Sequence, residues 1–259
     1  MNTSLPISAV IITKNEAHNL ARCLESLVEV VDEMVVVDSG STDATVEIAL
    51  SFPKTRVVQR EWEGYARTKN AGNALAVHDW ILSLDADEAL TPMLRSSIAG
   101  LRLTDDAVCY RFARLTNYCG AWIRHCHWYP DAAVRLFHRG KARWEGDSVH
   151  EKLRFEEGMR VVTLPGDCLH YSIPSIAFHL DKVNRYSSLW AEEAYKKGRR
   201  TGLIPLLFKP FLAFFNTYVI HAGFRDGYYG FVVSVVSGMS RFMRLSKLLQ
   251  WQREHRTDC

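Results

Sequence analysis

Trp80-Ile81-Leu82-Ser83-Leu84-Asp85-Ala86-Asp87-Glu88 is the stretch around which the chain is organised. A short apolar run is followed at once by three carboxylates. Such a run contains nothing that needs water, so it suits a strand of a sheet buried on both faces. The carboxylates then emerge at its C-terminal end, where open α/β sheets bind their ligands. Asp85 and Asp87 are two residues apart, and in a turn their oxygens can converge on one hard cation. A divalent ion held by so few protein ligands keeps open positions, which a diphosphate can fill. Taken alone, the same residues also describe a strand end followed by a solvated acidic turn.

The upstream sequence sets the context. Ile7 to Thr13 reads as a buried strand running into Thr13-Lys14-Asn15-Glu16. A helical pattern follows in Ala17, Leu20, Ala21, Leu24, Leu27, Val28 and Val31, with Asn15 or Thr13 as candidate cap. Met34 to Val37 is a second strand, entering Asp38-Ser39-Gly40-Ser41-Thr42-Asp43. A helix from about Ala44 to Leu50, a strand Arg56 to Gln59 and a helix Gly64 to Ala76 lead to the quoted strand. This alternation predicts an α/β fold with a mostly parallel sheet and right-handed crossovers. The polar groups that follow the first, second and fourth strands then line one crevice. The loop after the first strand has no glycine, so it carries neither a dinucleotide fingerprint nor a phosphate-cradling loop. Asp38 is expected to accept from ribose or base donors, leaving the phosphates to a metal.

At this point the chain resembles a known family. Ile11-Ile12-Thr13-Lys14-Asn15-Glu16, Val37-Asp38-Ser39-Gly40-Ser41-Thr42-Asp43 and Asp85-Ala86-Asp87, in order, are similar to family 2 glycosyltransferases with the GT-A fold. Tyr65-Ala66-Arg67-Thr68-Lys69-Asn70 adds to the likeness. Tyr129-Pro130-Asp131, Arg135-Leu136-Phe137-His138-Arg139-Gly140 and Trp144-Glu145-Gly146-Asp147-Ser148-Val149-His150-Glu151 resemble the branch that includes lipopolysaccharide-core β-glucosyltransferases. The resemblance runs over essentially the whole chain. It implies an inverting, metal-dependent transfer of a hexose, glucose in first place, from a UDP-sugar to a membrane glycolipid such as the lipopolysaccharide inner core. It also implies a nucleotide site drawn from Thr13, Asn15, Glu16, Asp38, Ser39, Gly40, Asp43, Lys69, Asp85, Ala86, Asp87 and Arg135. Mg²⁺ or Mn²⁺ would be held by Asp85 and Asp87, with His170 as a further contact. A base must take the acceptor hydroxyl proton; Glu151 is expected to serve, with Asp147 as runner-up. Glu151 could instead pair with a nearby cation, and His170 could be structural.

Rivals from other classes are a sugar nucleotidyltransferase, which would carry a glycine-rich loop after its first strand, and a non-catalytic membrane-associated module. Another cell-envelope polysaccharide or lipid is the alternative acceptor.

A chain of 259 residues can bury a full core. Residues 1–104 read as the nucleotide-binding part, 105–172 as a β-rich acceptor part and 173–259 as a helical membrane-associating region. Net charge is only +3 and gives no reason to expect nucleic acid as partner. The cations, however, gather at the C-terminal end, from Lys196 to Arg256, where acidic residues are scarce; this distribution favours an anionic surface. The six cysteines form no C-x-x-C pair, and the N-terminus lacks a basic-then-apolar segment. A cytoplasmic chain, bound peripherally to the inner face of the inner membrane, is therefore expected. His125, Cys126 and His127 have no second cluster at zinc spacing. Thr91-Pro92 should open a helix, and Val108 to Leu115, Val134 to His138 and Arg160 to Leu164 should be strands. Ser175 to Gly198 reads as an amphipathic helix. The apolar stretch Leu203 to Phe224, interrupted by Pro205, Lys209, Pro210 and His221, suits helices lying in a membrane interface. A homo-oligomer surface is the other use of such a face.

Overall fold

A computed structural model describes residues 5–146 and 151–255. The chain divides into two compact units, residues 1–114 with 131–171, and residues 115–130 with 172–259. In chain order the elements are β1 (Leu5–Thr13), α1 (Leu20–Glu25), β2 (Val31–Asp38), α2 (Thr45–Ser51), β3 (Thr55–Gln59), α3 (Tyr65–Leu75), β4 (Trp80–Asp85), β5 (Glu88–Leu90) and α4 (Pro92–Ala99). There follow β6 (Val108–Tyr118), β7 (Ala121–Ile123), β8 (Asp131–His138), β9 (Ala142–Glu145), β10 (Lys152–Phe155), β11 (Arg160–Ile173), α5 (Ile176–Lys196), α6 (Leu203–Phe215) and α7 (Gly227–Glu254).

The first unit has the expected α/β fold. Its N-terminal side is the parallel array β3-β2-β1-β4. The sheet continues through β8, β6, β11 and β5, with antiparallel pairing at β4–β8, β8–β6 and β11–β5. Both faces of β1, β2 and β4 are buried, which is why these strands read as continuous apolar runs. Ile7, Ala9 and Ile11 of β1 pack with Leu20, Leu24 and Leu27, and the alternate Val10 and Ile12 pack with Val35, Val37 and Ala66. Helix α3 approaches closely through Gly72, where a Cβ would lie 2.5 Å from Val10 Cγ1. Thr91 caps α4 as expected, its side chain accepting from Leu94 N, with Pro92 in the first turn.

Three departures from the sequence reading matter for the site. The apolar periodicity from Ala17 to Val31 makes only a short helix, Leu20–Glu25, because its last member Val31 already belongs to β2. Asn15 does not cap that helix; it sits at φ 55 and its Oδ1 accepts from Thr42 N at 2.8 Å. The strand expected to end at Leu164 continues to Ile173 through Pro165-Gly166-Asp167.

In the second unit β7 folds back on the end of β6, pairing Thr116 with Ile123 and Tyr118 with Ala121. Tyr118, Ile123, Cys126, Ile173 and Val233 form its core. Ala191 and Ala194 of α5 meet Leu248 of α7. Helix α6 lies on α7 at Gly238, where a Cβ would be 3.0 Å from Pro210 O. The five described cysteines are free.

Candidate active site

The site lies in the first unit, at the C-terminal ends of β1 and β4. A cleft of about 480 Å³ is lined by Ile12, Thr13, Lys14, Glu16, Trp62, Tyr65, Asp85, Ala86, Asp87 and His170. Its size suits one small organic ligand. In register, Ile12 of β1 stands beside Asp85 of β4, so the loops after both strands open on the same edge. β11 delivers His170 from the far side. It pairs with β5 at His170↔Glu88, and Tyr171 N donates to Asp87 O at 2.9 Å. His170 Nε2 consequently lies 3.4 Å from Asp87 Oδ2. Burial alone would lower the His170 pKa, but the hydrogen bond and charge of Asp87, with the charge of Glu88, raise it. Thr13 lines the cleft, and its Oγ1 is buried without a hydrogen-bond partner among the described residues. A ligand with a donor or acceptor there would satisfy it.

Asp85 is engaged differently. Its Oδ1 is 3.0 Å from Lys69 Nζ, and its Oδ2 accepts from Arg135 at 3.1 Å. Arg135 also donates to Glu88 at 2.8 Å, and Arg114 joins Glu88 at 3.2 Å and Asp131 beyond it. Burial would raise the Asp85 carboxyl, but the Lys69 and Arg135 charges outweigh it and hold Asp85 far below the usual carboxylate range. Lys69 is fully buried, its ammonium 3.3 Å from Glu151 Oε1 and 4.6 Å from the centre of the Trp144 ring. The expected carboxylate pair is thus split. Asp87 stays at the cleft with His170, while both Asp85 oxygens are taken by cations.

Several expected ligand residues hold the loops instead. Asp38 is fully buried, its oxygens accepting from Gly40 N at 3.1 Å, Ser41 N at 3.0 Å and the Ser41 hydroxyl. It therefore shapes its own turn, with Gly40 at φ +82, and does not face the cleft as a ribose or base acceptor. Asp43 accepts from Ala17 N at 3.2 Å and from Thr45, and Asn15 binds Thr42, so these two clasp one loop to the other. Ser39, like Asn15, Asp38, Gly40 and Asp43, is not among the cleft-lining residues. Lys69 and Arg135, expected at the nucleotide, are spent on carboxylates within the protein. Thr13, Glu16, Asp85, Ala86, Asp87 and His170 do line the cleft, and burial raises the Glu16 pKa. Asp147 lies outside the described residues.

Sequence reasoning missed the aromatic wall, in which Trp62 and Tyr65 meet edge-on at 4.8 Å. Trp62-Glu63-Gly64-Tyr65, with Gly64 at φ +93 opening α3, was the available signal. It also missed Lys14, which faces the cleft, and Arg114, which anchors Glu88.

The residues present suit a divalent metal. Asp87 supplies a hard oxygen and His170 an imidazole nitrogen, both at the cleft. Among the described residues no group of three or more His, Cys, Asp or Glu could hold a metal ion. Two protein donors leave positions for phosphate and water, as Mg²⁺ sites usually do.

The sequence profile of glycosyl transferase family 2 matches residues 8–162. The chain belongs to glycosyl transferase family 2. This family 2 enzyme is 32% identical over 256 residues to the lipopolysaccharide core biosynthesis glycosyltransferase LpsC of Rhizobium meliloti, covering 96% of this chain and 94% of that one. It is 31% identical over 252 residues to an uncharacterised glycosyltransferase of Rickettsia prowazekii, covering 93% and 86% of the two chains. Among solved structures it is similar to glucosyl-3-phosphoglycerate synthase from Mycobacterium tuberculosis in complex with Mn²⁺, UDP and glucosyl-3-phosphoglycerate. That likeness has a TM-score of 0.49 and 20% identity, covering 76% of this chain and 81% of that chain.

Proposed function

We propose that this family 2 glycosyltransferase moves a hexose, glucose in first place, from a UDP-sugar to a membrane glycolipid at the cytoplasmic face of the inner membrane. The acceptor that fits best is the heptose region of the lipopolysaccharide inner core. The likeness to LpsC along nearly its whole length supports that choice. The observation that carries the reading is the cleft itself, which brings Thr13, Asp87 and His170 together beside the aromatic wall of Trp62 and Tyr65.

In this reading Thr13, Glu16 and Trp62 hold the nucleoside, and Lys14 meets the diphosphate. A Mg²⁺ or Mn²⁺ held by Asp87 and His170 would offset the negative charge that develops on the departing UDP. Asp85, whose oxygens meet Lys69 and Arg135, holds Lys69 in place beside the cleft. Glu151 accepts the proton of the acceptor hydroxyl while that oxygen forms its bond to the anomeric carbon. The bond from that carbon to the UDP oxygen breaks in the same displacement, so an α-linked donor gives a β-linked product. Lys69 fixes one Glu151 oxygen at 3.3 Å, and in this reading the other takes the hydroxyl proton.

Calorimetric titration of UDP with and without Mn²⁺ tests the donor site. Binding should require the ion, and Asp87→Asn should weaken it by at least about tenfold, the scale of losing one ligand or its orienting partner. Metal-independent binding, or unchanged affinity in Asp87→Asn, overturns the metal assignment. A panel of UDP-sugars with a heptose-bearing acceptor then names the donor.

A further inference from the structure

The second unit carries an apolar surface that its own fold leaves uncovered. Leu203–Ile220 is apolar enough and long enough to cross a membrane, with a mean hydropathy of 1.6, yet of these residues only Thr217 is buried. On α6 the exposed side chains are Leu203, Ile204, Leu207, Phe208, Phe211, Leu212 and Phe215, at intervals that place them on one helix face. Ile204, Leu207 and Phe211 are 74%, 70% and 66% exposed. The opposite face is already committed, lying on α7 at Pro210 and Gly238. The surface continues beyond α6 through Val219, Ile220, Phe224, Tyr228 and Phe231. A patch of this extent marks an interaction site.

Charge selects the occupant. From Leu203 to Glu254 the chain has two carboxylates: Asp226, both of whose oxygens His125 takes, through Nδ1 at 2.6 Å and the backbone N at 2.7 Å, and Glu254, which accepts from Gln250 at 2.8 Å. Lys209 lies at the edge of the apolar face, Arg225 follows Phe224 at its end, and Arg253 lines a groove with Leu203 and Leu206 at its start. None of the three has an ion-pair partner among the described residues. A second copy of the chain, docked through the same face about a two-fold axis, would set Lys209, Arg225 and Arg253 against each other, with Glu254, already held by Gln250, as the one carboxylate in the groove to meet them. An anionic bilayer supplies both missing complements, an apolar layer and a field of phosphates. A helix that spans would need its α7-facing side free and Lys209 deep in hydrocarbon.

We infer that α6 and the turn after it, Leu203–Phe224, form a docking face that lies in the surface of an anionic lipid bilayer, with Lys209, Arg225 and Arg253 on the headgroup phosphates. This deepens the reading of a membrane-borne acceptor. It stands on the second unit alone, apart from the metal and base assignments.

Flotation of the full chain with vesicles of phosphatidylcholine, with and without phosphatidylglycerol, tests it. The chain should float with the mixed vesicles and lose that preference in high salt. Phe208→Glu with Phe211→Glu should abolish flotation. Lys209→Gln with Arg225→Gln should reduce binding to the mixed vesicles by roughly tenfold to thirtyfold and leave neutral vesicles unaffected. UDP binding serves as the control for folding and should be unchanged in both variants; a failed UDP titration in the parent chain would strike the donor site and leave this inference standing. Equal binding to neutral and anionic vesicles, or flotation that survives the Phe208 and Phe211 exchange, overturns it. So does a stable dimer that does not float and that the same exchange dissociates, since a second copy then covers the face.

Discussion

Lys69 ties together two groups that the sequence keeps far apart. Its buried ammonium contacts Asp85 at the end of β4 and Glu151 just before β10, and the Trp144 ring closes over it. A cation sealed from water in this way keeps both carboxylates in place. Glu151→Gln retains the side chain's shape and one Lys69 contact but cannot accept a proton. It should therefore keep UDP affinity and lower kcat by about 100-fold or more, the usual scale for removing a general base. Single-turnover transfer measured beside UDP titration checks this. Turnover near the parent rate moves the base elsewhere. At this scale the sequence singled out Asp85, Asp87, His170 and Glu151 by residue type and position. It could not say that Asp85 would be neutralised by Lys69 and Arg135, because those partners come from α3 and β8.

β11 is the element on which the second half of the cleft depends. The strand was expected over Arg160 to Leu164, whereas β11 runs on through Pro165-Gly166-Asp167, a composition that ordinarily turns the chain. Gly166 instead bends within the strand at φ +97, with Leu94 so near that a Cβ would lie 2.4 Å from its backbone nitrogen. The bend lets residues 168–170 pair with β5, and that pairing sets His170 against Asp87. Gly166→Ala meets a steric clash with backbone and a disfavoured φ together. It should cost about 3 kcal/mol of stability and weaken metal-dependent UDP binding. Denaturant melts and calorimetry on the same variant check both effects; a stable variant with unaltered binding would show that the bend has slack. Helix α1 gives the converse lesson. Its apolar spacing is helical through Val31, but pairing with β1 claims Val31 for β2.

At the scale of the whole molecule, the two units should answer differently to pH. His179 in the second unit is buried beside Trp128, with Tyr118 Oη 3.0 Å from its Nδ1. Burial, with the Lys182 charge adding to it, pushes its pKa down to about 4. Unfolded, it would titrate near about 6.5. The native state then binds fewer protons than the unfolded chain between these values. Its stabilisation is complete above about pH 6.5 and is lost as pH falls toward 4, by at most about 3 kcal/mol. Thermal unfolding followed from pH 7.5 downward should show that loss, and His179→Gln should flatten it. An unchanged slope in the variant assigns the acid sensitivity to other groups.

The sequence by itself determined the alternation of strands and helices, the reaction class and the apolar, cationic character of the C-terminal region. These follow from local periodicity and from motifs whose members are close in the chain. Only the tertiary structure decided which carboxylate faces the cleft, that Asp38 closes its own turn, that Trp62 and Tyr65 form a wall, and that α6 has an uncovered face. Each of those depends on which distant groups reach a buried charge or an apolar surface first. That competition is settled by packing and by the cost of leaving a buried polar group unpaired.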